Sequence, residues 1–166
     1  MKTPEQLIRA TFKDETFFEV KCLPGRSLCL DAADVNDDLS DLAEFSKALG
    51  LFMGLTPESL LEATPYLYAE FKDYESSVDP SYLDTVVSRD LDIWNELDFT
   101  CVNVVRRRYG DRGVYVQLAA ECSWDPEHGI QLIYREGSSL SRVSEQDGHY
   151  THCDAFGLPE TNDRIR

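Results

Sequence analysis

The spacing of apolar positions changes period twice along the chain. Over Thr16–Leu23 they alternate, with Phe18, Val20 and Cys22 on one face and Glu19 and Lys21 on the other, as in a half-buried strand. Pro24-Gly25-Arg26-Ser27 supplies a turn and Leu28–Leu30 a returning strand, so a hairpin is predicted near the N-terminus. The middle of the chain shifts to three- and four-residue steps. Leu39, Leu42, Phe45, Leu49 and Phe52 fall on one helical stripe. Thr56-Pro57 and Thr64-Pro65 each place a capping residue before a proline suited to the first helical position. The segment from Pro57 to Ser76 is therefore two short helices or one helix kinked at Pro65. Leu67, Phe71 and Tyr74 would face inward, with Glu70, Asp73 and Glu75 in water. A further short helix is expected around Tyr82–Val87, then a turn over Asp90–Leu97 in which Trp94 anchors the packing.

From Phe99 the period becomes two. Cys101–Val105 is β-branched and strand-like, and Tyr109–Gly113 forms a hairpin loop. Beyond it Val114, Val116, Leu118, Ala120, Cys122 and Trp124 share one face, opposite Tyr115, Gln117, Ala119, Glu121 and Ser123. Asp125-Pro126 opens a turn that Gly129 closes with positive φ. Ile130, Leu132 and Tyr134 then alternate back, and Leu140–Val143 follows a second turn. The fold class expected is α+β: an antiparallel β-meander, made of the N-terminal hairpin plus the C-terminal strands, covered by an inserted acidic helical segment. One domain spans 1–166, with Glu160–Arg166 as a frayed tail.

Charge sharpens this picture. The chain carries 31 acidic and 16 Lys/Arg side chains, a net charge of −15, and residues 31–100 alone hold 17 of the acids against Lys47, Lys72 and Arg89. Such a field repels nucleic acid and steers basic proteins or cations toward the surface. No run approaches the roughly 20 apolar residues of a membrane span, and none at the start has signal-peptide character. Five cysteines without close pairs read as reduced, mostly buried residues of a cytoplasmic protein.

Candidate chemistry gathers at Cys122-Ser123-Trp124-Asp125-Pro126-Glu127-His128-Gly129 and at Asp147-Gly148-His149-Tyr150-Thr151-His152-Cys153-Asp154. Asp125, Glu127, His128 and His149 form a candidate metal set if the sheet brings the two loops together. The spacing matches no zinc signature. In the structural alternative Asp125 accepts turn amides, Glu127 is solvated, and His128 caps carbonyls or packs on Trp124. Cys153 with His149 or His152, or Cys122 with His128, lacks a setting that would activate a thiol, so an enzyme is the less favoured reading and no cofactor is called for. In Arg106-Arg107-Arg108 a strand would put Arg107 opposite its neighbours. Pairing with the protein's own acidic helices is favoured there over phosphate binding.

The run Trp124–Tyr134, then Gly137, Asp147-Gly148-His149 and Asp154-Ala155-Phe156-Gly157 resembles a bacterial family of uncharacterised domains with a Trp-Asp-x-Glu-His-Gly turn. Such domains are similar to the small immunity-type proteins of polymorphic toxin systems. The resemblance implies no catalytic role for Glu127 or His128. It agrees with an acidic module that binds a basic protein partner, such as a toxin, through Asp37, Asp38, Asp41 and Glu44 together with Glu70, Asp73 and Glu75. The rival is a metal-binding module at the Asp125 turn.

Overall fold

The computed structural model describes residues 2–166, with their side chains apart from that of Tyr82. It opens with a helix that the apolar pattern does not predict, α1 (Pro4–Thr11), whose apolar stripe is only Leu7 and Ile8. Local chemistry makes it. Thr3 Oγ1 accepts from the Gln6 amide at 3.2 Å and Gln6 Oε1 accepts from the Thr3 amide at 2.9 Å, a reciprocal cap ahead of Pro4.

Among the described residues six strands, β1 (Thr16–Glu19), β2 (Ser27–Asp31), β3 (Leu97–Arg106), β4 (Val114–Cys122), β5 (Ile130–Arg135) and β6 (Ser139–Ser144), form one sheet in chain order. Four of the five pairings are antiparallel. The joint between β2 and β3 is parallel, through Cys29↔Cys101, Leu30↔Val102 and Asp31↔Asn103. The wholly antiparallel sheet expected from the sequence is thus corrected at one joint. The reason is the long insertion between β2 and β3, since only a crossover of a dozen or more residues lets neighbouring strands run the same way.

That crossover contains α2 (Leu42–Met53), α3 (Pro57–Leu61) and α4 (Thr64–Ser77). Leu39 precedes α2 in a left-handed turn, φ 59°, rather than lying on its stripe. Thr56 caps α3, whereas Thr64 lies inside α4 and accepts a hydrogen bond from Trp94 Nε1 at 2.9 Å. Of the two readings around Pro65, separate helices are found. No helix forms over Tyr82–Val87. A 3₁₀ turn at Pro80–Tyr82 gives way to irregular chain, and Asp90–Glu96 is a second 3₁₀ segment. Among the described residues no helix is long and apolar enough to cross a membrane.

Both faces of the sheet are occupied, differently. Leu28, Leu30, Val102, Val104, Val116, Leu118, Leu132, Tyr134 and Val143 are buried on one face, which α2 and α4 cover with Phe45, Leu49, Phe52, Leu67 and Phe71. The other face carries a chain of side-chain amides. Asn103 Nδ2 donates to Gln117 Oε1 (2.8 Å), Gln117 Nε2 to Gln131 Oε1 (2.6 Å), and Gln131 Nε2 to Ser144 Oγ (3.0 Å). Residues after β6, including α5 (His152–Phe156), fold back over part of this face, with Tyr150 stacked on Tyr115. Three arginines fasten the flap. Arg142 forks Asp147 (2.6 and 2.7 Å), Arg135 reaches Asp163 (3.2 Å), and the fully buried Arg107 forks Asp154 (2.7 and 2.8 Å) and holds Glu160. Residues 160–166 are accordingly tied down rather than frayed, and the Ile165 carbonyl accepts from the Val143 amide at 3.0 Å.

Candidate functional site

The carboxylates expected to form a binding surface on the helical segment are mostly spent internally. Arg106 Nη2 lies 2.7 Å from Glu44 and 3.5 Å from Asp41. Arg166 Nε is 2.6 Å from Glu70, and its other arm pairs with Asp73. Lys72 takes Glu75. Glu70, expected in water, is largely buried. Burial pushes its pKa up even against the adjoining Arg166. Among the described residues, only Asp37 and Asp38 of the seven have no Lys or Arg at ion-pair distance, and Asp38 accepts from the Ser40 amide at 3.0 Å. Among the described residues the basic run meets the acidic helical segment only through Arg106, since Arg107 pairs with Asp154 and Glu160 of the flap. Arg106 pairs with α2, and Arg107 turns to the other side.

Negative charge without a matching cation collects elsewhere. β3 begins, β4 ends, β5 begins and β6 ends at the same end of the sheet, because Leu97 pairs with Cys122, Ala120 with Ile130 and Gln131 with Ser144. This register brings Glu96, Glu121, Asp125, Glu127 and Glu145 together from three separate stretches of sequence. Asp84 joins them across a cleft of about 460 Å³ lined by Glu127, His128 and Glu145. Arg26, which lines the adjoining recess, is taken by Asp98. No Lys or Arg forms an ion pair with any of these six acids among the described residues. At the opposite end Arg106, Arg107 and Arg135 are each paired with carboxylates, so cations and anions are matched there.

The turn over residues 123–129 is built to present its side chains outward. Trp124 is buried edge-on against Phe71 of α4, with ring centroids 5.7 Å apart, and fixes the start of the turn. Gly129 closes it at φ 63°. A Cβ there would lie 2.6 Å from the Ala120 carbonyl oxygen, so the close return of the chain needs glycine. Asp125 is 9% exposed and its carboxylate accepts from the His128 amide at 3.3 Å. His128 Nδ1 lies 3.1 Å from both Asp125 oxygens. Its pKa is raised by the Asp125 hydrogen bond first, then by the charges of Asp125, Glu145 and Glu127. The imidazolium contact therefore contributes fully below the unfolded histidine value and fades as pH rises through the raised one.

Asp125, His128 and Glu145 each direct a ligand atom to a point where all lie within 4.8 Å of one another. Two other residues of the anticipated metal set stand apart. Glu127 is exposed in the same cleft without joining the trio. His149 belongs to the flap, its Nδ1 3.3 Å from Asp147. Glu145 was not anticipated, since only the pairing of β5 with β6 returns it to the turn.

The sequence profile of a domain of unknown function, DUF6985, matches residues 11–150. The chain belongs to the DUF6985 family. The matched region holds all six strands, α2 to α4 and the acidic end of the sheet, while most of α1 and all of α5 fall outside it. No curated protein and no solved structure matches the chain.

Proposed function

We propose that this DUF6985 domain is a protein-binding module that receives a basic partner at the acidic end of its sheet. The observation behind the reading is the segregation of charge. Arginines pair with several carboxylates of the helices and the flap, whereas Glu96, Glu121, Glu127 and Glu145 meet at one end of the sheet with no Lys or Arg at ion-pair distance among the described residues. A focused field of one sign raises the encounter rate with a cationic surface and selects against acidic ones. The clefts beside Trp124 and Pro126, lined by carboxylates together with Tyr74, Leu83 and Leu97, offer concave ground for a partner's cationic side chains and their apolar stems. An immunity factor that blocks a basic toxin, such as a nuclease, in the cytoplasm is the specific form this function takes.

The test compares two charge-reversed proteins in capture of a basic partner from cell extract. Glu121→Lys with Glu127→Lys and Glu145→Lys should weaken capture by at least about tenfold, and raised salt should do the same to the unaltered protein. Asp37→Lys with Asp38→Lys, remote from that end, should leave capture intact. Capture that survives both high salt and reversal at the sheet end would remove the reading.

The convergence of Asp125, His128 and Glu145 favours a second reading, a divalent-cation site of borderline hardness such as Zn(II) or Mn(II). To reach bonds of about 2.1 Å the ligands would draw together by roughly 1 Å. A proton competes for the imidazole, so affinity should fall as pH drops below the raised His128 value, with proton release on binding. Titration of Zn(II) into tag-free protein should raise the unfolding free energy by about 2.7 kcal/mol at one hundred times Kd. His128→Ala and Glu145→Gln should abolish the gain. An equal response from His128→Ala would assign the metal elsewhere.

A further inference from the structure

Cys29 and Cys101 are register partners across the parallel joint between β2 and β3. Parallel neighbours stand about 4.8 Å apart, inside the roughly 4.4–6.8 Å Cα separation that a disulfide spans. Both side chains project from the same, partly uncovered face of the sheet and both are partly exposed, whereas Cys22, Cys122 and Cys153 are buried. The Cys101 thiol is further oriented by donating to Asn103 Oδ1 at 3.4 Å, the first link of the amide chain across this face. Neither cysteine fills the core beneath the helices, so packing alone does not account for placing two thiols side by side.

We propose that Cys29 and Cys101 form an oxidisable dithiol that closes to a cross-strand disulfide when the protein meets a hydroperoxide. Burial, the adjoining Cys29 thiol and Asp31 push the Cys101 thiol up to about 12, and either cysteine of the pair can serve as the first nucleophile, Cys29 in the sequence of steps that follows. The Cys29 thiolate attacks one peroxide oxygen, the O–O bond breaks, and the departing hydroxide takes up a proton as water, leaving a sulfenic acid. Cys101 sulfur then attacks Cys29 sulfur. The S–O bond breaks, and the expelled hydroxide leaves as a second water with the Cys101 proton. Two thiols are oxidised by one hydroperoxide, here hydrogen peroxide, which is reduced to two waters.

The consequence follows from topology. Among the described residues, three residue pairs are all that joins the β1–β2 hairpin to β3 within the sheet. A bond at their start staples that joint and closes a loop of about 70 residues holding α2, α3 and α4, which restricts the unfolded chain.

The intact protein is treated with hydrogen peroxide, its remaining thiols are alkylated, and its peptides are mapped by mass spectrometry before and after reduction. The expected product is a monomer with a Cys29–Cys101 linked peptide, alkylated Cys22, Cys122 and Cys153, and a Tm raised by roughly 5–15 °C, reversed by dithiothreitol. Cys29→Ser and Cys101→Ser should each abolish the linked peptide and the shift. The mapping on unaltered protein stands even if a variant fails to fold. Oxidation spread over the buried cysteines, single-site sulfinic acid, or only intermolecular disulfides would overturn the proposal.

Discussion

Replacing Arg107 by methionine should destabilise the domain by about 3 kcal/mol, lowering Tm by roughly 6–12 °C. The guanidinium is 1% exposed and sits between two carboxylates from the C-terminal flap. Methionine fills much of the same volume, yet it leaves Asp154, whose side chain is only 18% exposed, facing a cavity without a counter-charge. Breaking one side of a buried pair costs about 3–5 kcal/mol. The low end applies because Glu160 is half exposed and can rehydrate. Exposed Arg89, which pairs with Asp92 on the surface, provides the control: Arg89→Met should cost no more than about 0.5 kcal/mol.

The same substitution should flatten the acid limb of the stability profile. Asp154 and Glu160 both titrate below their ordinary values, with the Arg107 hydrogen bonds as the leading cause. A carboxylate depressed in the folded state contributes stability that is complete above its unfolded pKa and disappears as pH falls through the folded one. The gap between unaltered protein and Arg107→Met should therefore be full at pH 7 and narrow below about pH 4. His152 is depressed too, by burial and by Arg164 and Arg142, so its contribution fades as pH falls below about 6.5 in both proteins. Urea unfolding at pH 7 and pH 3 measures both effects. A gap that stays constant with pH would mean Arg107 acts by packing rather than charge.

How much of this was legible in the sequence depends on range. β4 could be read residue by residue because Val114 to Trp124 alternate without interruption and every one of the six inward positions is buried. Helix α1 was invisible to periodicity, since two apolar residues make no stripe, though the Thr3 and Gln6 spacing carried its cap. The parallel joint left no local mark, because a strand's pattern records which face is buried and not the direction of its neighbour. In the candidate site, Asp125 and His128 were legible because one turn holds both. Glu145 was hidden behind a strand register, and the partner of Arg107 at Glu160 behind the fold-back of the C-terminal flap. Charge was the least readable property. Counting acids located the excess in residues 31–100, but it could not show that Arg26, Arg106 and Arg166 reach from distant segments to Asp98, Asp41, Glu44, Glu70 and Asp73, nor that other acids gather at the sheet end.

Gly137→Ala should be the most damaging single-methyl addition, costing about 3–5 kcal/mol. The β5–β6 turn takes two positive φ angles in succession, 50° at Glu136 and 79° at Gly137, which suits the right-handed twist of a tight hairpin. Conformation alone would make alanine cost about 1–2 kcal/mol there. The larger share is steric. A Cβ on Gly137 would stand 1.9 Å from the Ala48 carbonyl oxygen and 2.7 Å from its carbon, both backbone atoms of α2. That helix cannot recede without lifting Phe45, Leu49 and Phe52 from the sheet, and each of these is fully buried. Gly148 separates the two contributions, since it has nearly the same φ, 77°, and no heavy atom lies within 4 Å of where an added methyl would stand. Gly148→Ala should cost only the conformational share. Equal losses at the two glycines, measured by chemical denaturation, would show that α2 yields to the turn and that its backbone contact does not hold the helix in place.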